Sequence, residues 1–522
     1  MEKYGPARLK DAQPVQRNLD PNLHPFEKAK EYTRALSAAK VERMFAKPFI
    51  GALAGHIDGV YCLSKHPWDL TAVISGSGDG EVRIWDLREQ QTIWSAHNAH
   101  QGMVRGTCPI PNSRRFISVG VDQQIKVWAP DEELESTVGA NPSHAREGLS
   151  FTDRARLANL RREKAALLDD GADDDKEPDG DDDETTYDYG QLASVSTKHQ
   201  VHGLVRDWDG TKAGQERHRL RAIEPVTVFQ GQDSFTSVDH HRTNQQFATS
   251  CSAISVWDIN RSEPLHRFEW EADTINTVRF NQAEVNLLAS CGSDRSLILY
   301  DLRSQTAMNK AVMEMNGNAI AWNPMKAHMF AVANENQNCY VFDMRYLKKA
   351  HTIHIGHTSA VMDVDYSPTG LELVTGSYDQ TVRIFEDRQR FSRDVYHTQR
   401  MQQVFSVRFS MDAKFVISGS DDGNVRIWKA QASEKLGPIS RAEKDHINYS
   451  QKLKDRYKHL PEIRRVLSNR HPPKHVRTAA RLKGQMLQQE QRRQASIAAS
   501  NPHARREQKD FKEQVVLETT FK

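Results

Sequence analysis

One pattern of small, polar and apolar positions recurs along the chain. It is clearest at 418–428, SGSDDGNVRIW, and returns at 75–85 (SGSGDGEVRIW), 118–128 (SVGVDQQIKVW), 290–300 (SCGSDRSLILY) and 375–385 (TGSYDQTVRIF). In each copy a strand of small residues enters a turn built on Asp, and alternating β-formers then close on an aromatic. Period-two alternation about such a turn reads as a β-hairpin. The closing aromatics are Trp85, Trp128, Trp257, Tyr300, Phe342, Phe385 and Trp428, spaced by 43, 129, 43, 42, 43 and 43 residues.

A repeat of about 40–45 residues is that of propeller blades, and the cassettes resemble WD repeats. Seven aromatics therefore predict an all-β seven-bladed WD-repeat propeller over 49–430. Blades three and five depart from the pattern, with Cys251 and Asn336 where the others carry Asp. The 129-residue gap spans three periods, but 130–223 contains no cassette, and 11 of the 16 residues from 169 to 184 are acidic. Such a run cannot form a core, so it predicts a mostly disordered acidic insertion between blades two and three. A helix capped by Thr152 or Asp153 and running to Leu168 fits within it. No outer strand follows Trp428, and Phe49 to Leu53 has the character of one. The chain ends are thus expected to close the ring and leave no open edge.

The flanks change period. In 1–48, Pro25 suits a helix start, and Phe26, Ala29, Thr33, Leu36, Val41 and Met44 predict a helix over about 26–46 whose apolar stripe packs on the propeller. From 431 to 522 a basic helical domain is expected: Ile447, Leu453, Tyr457, Leu460, Ile463 and Leu467 recur at helical spacing, and a second helix follows Pro472 and Pro473.

Net charge is only +2, yet from 429 to 522 there are 22 Lys and Arg against 10 Asp and Glu. A mean hydropathy of −0.70 fits long solvated segments. The five cysteines are scattered one to a blade, a pattern of buried reduced thiols in an intracellular protein. No stretch has the length and apolarity of a membrane span, and no signal-peptide core is present. There is no phosphate-cradling Gly loop, GxSxG elbow, HExxH or CxxC, so neither an enzyme nor a cofactor is expected.

Three groups of residues carry candidate roles. His56 with Asp79, His100 with Asp122 and His357 with Asp379 recur 22 or 23 residues apart, accompanied in blade one by Ser75 and Trp85. A His, Asp and Ser set suggests a hydrolase triad, but a catalytic site would occur once. Its recurrence fits a buried structural network of His56, Ser75, Asp79, Trp85, His100, Asp122, Trp128, His357, Asp379, Asp422 and Trp428. Second, an aromatic-Asp-x-Arg pattern closes blades at Trp85-Asp86-Leu87-Arg88, Tyr300-Asp301-Leu302-Arg303 and Phe342-Asp343-Met344-Arg345. These resemble the WDxR box of substrate receptors of cullin-RING ubiquitin ligases, with Asp86, Arg88, Asp301 and Arg303 the residues to test. Third, Lys452, Lys454, Arg456, Lys458, Arg464, Arg465, Arg470 and Lys474 lie on basic helices poor in aromatics, which suits contact with an RNA phosphate backbone rather than base stacking.

Residues 17–49, 359–370 (SAVMDVDYSPTG) and 449–475 (YSQKLKDRYKHLPEIRRVLSNRHPPKH) closely resemble the Sof-type (suppressor-of-fibrillarin) WD-repeat proteins. The resemblance implies a nucleolar, non-catalytic scaffold of the small-subunit processome. Its implied partners are processome proteins, the fibrillarin-containing box C/D small nucleolar ribonucleoprotein and, through the basic tail, pre-rRNA. Some relatives of that family are cullin-ligase receptors, which keeps the WDxR reading as an alternative.

Overall fold

In each cassette the small-residue strand pairs antiparallel with the strand that ends in the aromatic, as Phe116 does with Trp128 and Val416 with Trp428. The small residues are there because blades pack closely. A Cβ placed on Gly76 would lie 2.7 Å from Val104 of the next blade, and one on Gly419 would lie 2.8 Å from Val60. The computed structural model describes residues 25–130 and 225–500 apart from 68, 112 and 270–273, together with 203–204, 220–221 and 512–521.

Seven antiparallel blades surround a central axis. Their innermost strands are Val60–Lys65, Val104–Pro109, Ser237–His240, Ile275–Phe280, Gly317–Trp322, Val361–Tyr366 and Val404–Phe409. Apolar clusters lie within and between neighbouring blades; in one, Trp94, Phe116 and Trp128 pack with Val104. The ring closes where Phe49–Ala54 pairs with Asn424–Lys429, joining the two ends of the propeller in one sheet. All five cysteines are free and buried, and burial pushes the Cys62 thiol up to about 11.

Three expectations are corrected. The insertion does not separate blades two and three; it interrupts blade two. The fourth strand of that blade is Thr227–Gln230, which returns after the insertion to pair with Gln124–Trp128. The closing aromatic marks the end of a third strand, not of a blade, and the short outer strand TVFQ carries little signal of its own. Within the insertion only the two-residue strands Gly203–Leu204 and Leu220–Arg221 are described, at the outer edge of blade one. The expected helix at 152–168 and the disorder of the insertion lie outside the described residues.

Second, helix α1, Glu27–Met44, does not bury the stripe read from its sequence: Phe26, Val41 and Met44 are exposed. It buries Ala35 and Ala39 against Leu453 of α2 (Arg441–Tyr457) and Ile463 of α3 (Pro461–Ser468). Small residues at i and i+4 let helices approach closely, so an Ala pair forms the centre of the contact, with Tyr32 and Leu36 packed around it; Leu36 is the residue of the expected stripe that joins it. Polar contacts surround it. Tyr457 donates to Glu31 at 2.8 Å, Arg456 pairs with the same carboxylate at 3.0 Å, Lys454 pairs with Glu42, and Arg43 donates to the Leu467 carbonyl at 2.7 Å.

Third, the tail is not helical throughout. Helix α4, Lys474–Ser500, starts beside blade six, where His475 meets the Asp379 carbonyl, and reaches blade five, where Lys483 donates to Gln337. The chain then ends in a strand, Val516–Phe521, that adds a fifth strand to blade four along Thr306–Met313. Val515 and Val516 are buried there with Leu347 and Ala350 of blade five. The run of Val, Leu, Thr and Phe at 515–521 has β-character that the basic composition upstream masks.

Burial makes two histidines acid-sensitive. His240 and His354 are each held neutral, with pKa lowered to about 4 by burial, and each donates through Nδ1 to a carbonyl, of His241 and of Gln389. Folded values below the ordinary 6.5 mean that the unfolded chain binds more protons between those limits. The stabilisation is therefore complete above pH 6.5 and lost as pH falls toward 4, by roughly 2–3 kcal/mol per residue. The urea midpoint is expected to fall steeply from pH 7 to pH 5, and less steeply in a His240→Gln, His354→Gln double variant.

Candidate functional site

The recurring His and Asp residues form three different networks. In blade two the predicted set is complete. Trp128 donates to Ser118 Oγ at 2.8 Å, Ser118 meets His100 Nε2 at 2.7 Å, and His100 Nδ1 meets Asp122 at 2.9 Å. Burial outweighs the neighbouring carboxylate and keeps His100 below its ordinary pKa. Burial alone would raise Asp122, but hydrogen bonds from His100, Gln124 and Gln101 hold it below the usual carboxylate range. In blade six His357 bridges Asp379 at 2.9 Å and Thr375 at 2.7 Å, and Phe385 offers no N–H to extend the chain.

Blade one differs from the expectation. His56 meets Ser75 at 2.6 Å and Trp85 donates to the same oxygen, but the carboxylate facing His56 is Glu81, at 3.3 Å, not Asp79. Asp79 instead accepts the Glu81 N–H at 3.0 Å and shapes the turn in which Gly80 takes φ +82°. The one extra residue in the His56–Asp79 interval lies before Ser75, since Asp79 follows Ser75 by the same four residues as in blades two and six; what differs in the turn is Glu81, which stands where the other two blades have Gln124 and Thr381. In blade seven no His is present, and Arg426 takes its place against Asp422 and Ser420, while Trp428 donates to Ser418.

Ser75 and Ser118 are fully buried, so neither hydroxyl is open to a substrate. Among the described residues, His56, Asp79 and Glu81 are the one group whose ligand atoms converge as a metal site would require. Arg83 lies 2.7 Å and His97 2.8 Å from Glu81, and the guanidinium opposes a cation there. Each network ties neighbouring strands of its blade together through buried hydrogen bonds. Asp122→Ala is expected to lower stability by about 1–3 kcal/mol by stranding His100, and Asp79→Ala by less, because only a turn contact is lost. Urea denaturation of the two variants compares them directly.

The aromatic-Asp-x-Arg boxes fold onto themselves. Arg303 clasps Asp301 through two bonds at 3.2 and 2.9 Å, Arg345 clasps Asp343 at 3.0 and 2.7 Å, and both guanidiniums remain mostly exposed. They occupy equivalent positions on blades four and five, next to one another. At blade one Asp86 accepts the Arg88 backbone N–H at 2.8 Å. Arg303 and Arg345 thus share one side-chain arrangement on consecutive blades, which Arg88 does not show among the described contacts.

The eight basic tail residues also divide. Lys454 and Arg456 bind Glu42 and Glu31 on α1, and Arg470 donates to the carbonyls of Ser392 and Leu467. Lys452, Lys458, Arg464, Arg465 and Lys474 are exposed, without a side-chain partner among the described residues.

Residues 430–516 match the Sof1-like domain, and 47–86, 88–129, 348–386 and 394–429 match the WD domain, G-beta repeat. The DDB1- and CUL4-associated factor 13 of Xenopus laevis is 40% identical over 94% of this chain and 90% of its own length. Protein SOF1 of Saccharomyces cerevisiae is 38% identical over 95% of this chain and 88% of its own length. Among solved structures, the WD40 β-propeller domain of Doa1 aligns with 73% of this chain and 96% of that chain, at a TM-score of 0.49 and 14% identity.

The chain belongs to the Sof1-like family of WD-repeat proteins. In this member the Sof1-like domain comprises α2, α3, α4 and the entry into the last strand. The pairing of its first two helices with α1 binds both flanks of the propeller into one helical unit beside the ring closure.

Proposed function

We propose that this protein is a non-catalytic scaffold of the small-subunit processome, acting in the nucleolus in pre-rRNA processing and small ribosomal subunit biogenesis. The observation that carries the reading is the likeness to yeast Protein SOF1 across 95% of the chain, tail included. The propeller offers a rigid disc with several binding edges, and the five exposed cations of α2, α3, α4 and the turn after α2 supply an RNA-binding surface. Processome proteins, the fibrillarin-containing box C/D small nucleolar ribonucleoprotein and pre-rRNA are its partners. Shape-directed contact with phosphates suits a surface with exposed Lys and Arg and few aromatics. Depletion followed by rescue tests this: the intact chain restores 18S-type precursor cleavage and sediments with preribosomes. Sedimentation only as free protein rejects the scaffold role.

A second reading, as receptor of a cullin-RING ubiquitin ligase, is favoured by the exposed guanidiniums of Arg303 and Arg345 at equivalent positions on consecutive blades and by the name DDB1- and CUL4-associated factor 13 among the relatives. The Arg303→Ala, Arg345→Ala double variant is expected to lose cullin-adaptor copurification at least tenfold, and Arg88→Ala to retain it. Equal loss in both variants, or no copurification with the intact chain, counts against this face.

A further inference from the structure

An aromatic surface lies exposed where blades six, seven and one meet around the axis. Tyr61 of the first innermost strand stacks on Phe405 of the last, ring centroids 4.4 Å apart at 23°. Tyr378, in the turn of blade six, meets Phe405 edge-on at 5.8 Å. Tyr378 remains 37% exposed, and Ile57, in the loop leading to Tyr61, is 90% exposed. None of these residues is fully buried, and an exposed isoleucine in the loop that leads into an aromatic cluster is the kind of surface that marks a contact site. Tyr61 and Phe405 also line a central cavity of about 140 Å³, so the surface is the rim of an opening rather than a flat patch.

Two carboxylates converge on the same rim. A Cβ placed on Gly78 would lie 2.4 Å from Asp58 Oδ2 and 2.9 Å from a Tyr61 ring carbon, and one on Gly59 would lie 3.0 Å from Asp421 Oδ1. Glycine at 78 is what lets Asp58 and Tyr61 sit side by side. Neither Asp58 nor Asp421 has a cationic partner among the described residues; the Asp58 carboxylate accepts the N–H of Gly59, at 2.7 Å, while its backbone carbonyl accepts from Ser77. Burial first, and then the charges of Asp58 and Asp421, hold the Tyr61 phenol above its ordinary pKa, with Arg105 of blade two acting in the opposite sense. Helix α4 begins beside this surface, at Asp379, and leaves Tyr378 open.

Aromatic faces together with unpaired carboxylates favour a cation with an apolar stem, and the exposed Ile57 supplies a contact for the chain that carries it. We propose that the rim formed by Ile57, Asp58, Tyr61, Tyr378, Phe405 and Asp421 is a docking site for an arginine-bearing extended peptide of a partner protein. The guanidinium stacks on Tyr61 or Tyr378 and pairs with Asp58 and Asp421. This site borders the start of α4 but shares no residue with the exposed cations of the tail or with Arg303 and Arg345, and it does not depend on either functional reading.

The test is fluorescence anisotropy with the full chain and a labelled nonapeptide of alternating Gly and Arg, beside a Gly-Glu counterpart and a single-stranded uridine hexamer. The arginine peptide is expected to saturate. Its affinity should fall at least tenfold in Tyr378→Ala and in the Asp58→Asn, Asp421→Asn double variant, both surface changes that leave the melting curve near that of the parent. Absence of binding overturns the proposal. So does binding unchanged by both variants, which would locate the peptide elsewhere, as on the acidic run at 169–184. Binding of the uridine hexamer that is lost in Tyr378→Ala but kept or strengthened in the Asn double variant would make the rim a base-stacking site and overturn it equally.

Discussion

Replacing Lys452, Lys458, Arg464, Arg465 and Lys474 together by Glu is expected to weaken binding to structured pre-rRNA by roughly two to three orders of magnitude at about 0.15 M salt. The slope of log affinity against log salt should flatten by about 4, since each cation that neutralises a phosphate releases close to one counterion. The fold should tolerate the change, because all five side chains are exposed and none has a partner among the described residues. Lys454, Arg456 and Arg470 make the contrasting set. Each contacts α1 or a backbone carbonyl, so replacing them loosens the helical unit and leaves the salt slope nearly intact. Filter binding over a salt series, with a melting curve for each variant, separates the two sets. If both sets flatten the slope equally, the division between exposed and structural cations is wrong.

Trp128→Ala is expected to destabilise the propeller by about 3–5 kcal/mol and to lower its melting temperature by roughly 10 °C. The indole is fully buried, stacks with Phe116 and meets Trp94 edge-on at 5.7 Å. Removing it empties the centre of a blade boundary and also withdraws the N–H that anchors Ser118, hence His100 and Asp122. Trp128→Phe keeps most of the ring and loses only that donor, so its cost should be nearer 1 kcal/mol. Blade six already lives with this arrangement, since Phe385 closes a network of only His357, Asp379 and Thr375. Equal destabilisation by Phe and Ala would mean that the hydrogen-bonded chain, not the packing, dominates.

The seven-fold architecture was legible because each blade repeats its strongest signals, the small strand, the polar turn and the buried aromatic, at nearly constant spacing. Features specified once were not. Thr227–Gln230 lies beyond the long insertion, and four residues of weak alternation do not announce which blade they complete. The partner of His56 was misread because equivalence was inferred from type and approximate spacing. The turns are equally long, and it is the carboxylate two residues further on, Glu81 where the other blades have Gln124 and Thr381, that faces the ring in blade one. At the tail, sequence showed which residues are basic but not which of them face α1, because that depends on docking Ala35 and Ala39 against helices more than four hundred residues away. Arg345 could have been ranked with Arg303 from the sequence, since both boxes have the same form. That they sit on consecutive blades is what elevates the pair.

The proposed scaffold role has the exposed basic face of the tail contacting RNA within an assembling small subunit. It is tested most directly by sequencing RNA crosslinked in cells to the intact chain and to the five-residue Glu variant, expressed at equal levels. Crosslinks to small-subunit pre-rRNA or its guide RNA are expected with the intact chain, and their loss in the variant. Crosslinks at the same positions and yield in both, or none in either while both sediment with preribosomes, would contradict it and make the tail an arm for binding protein.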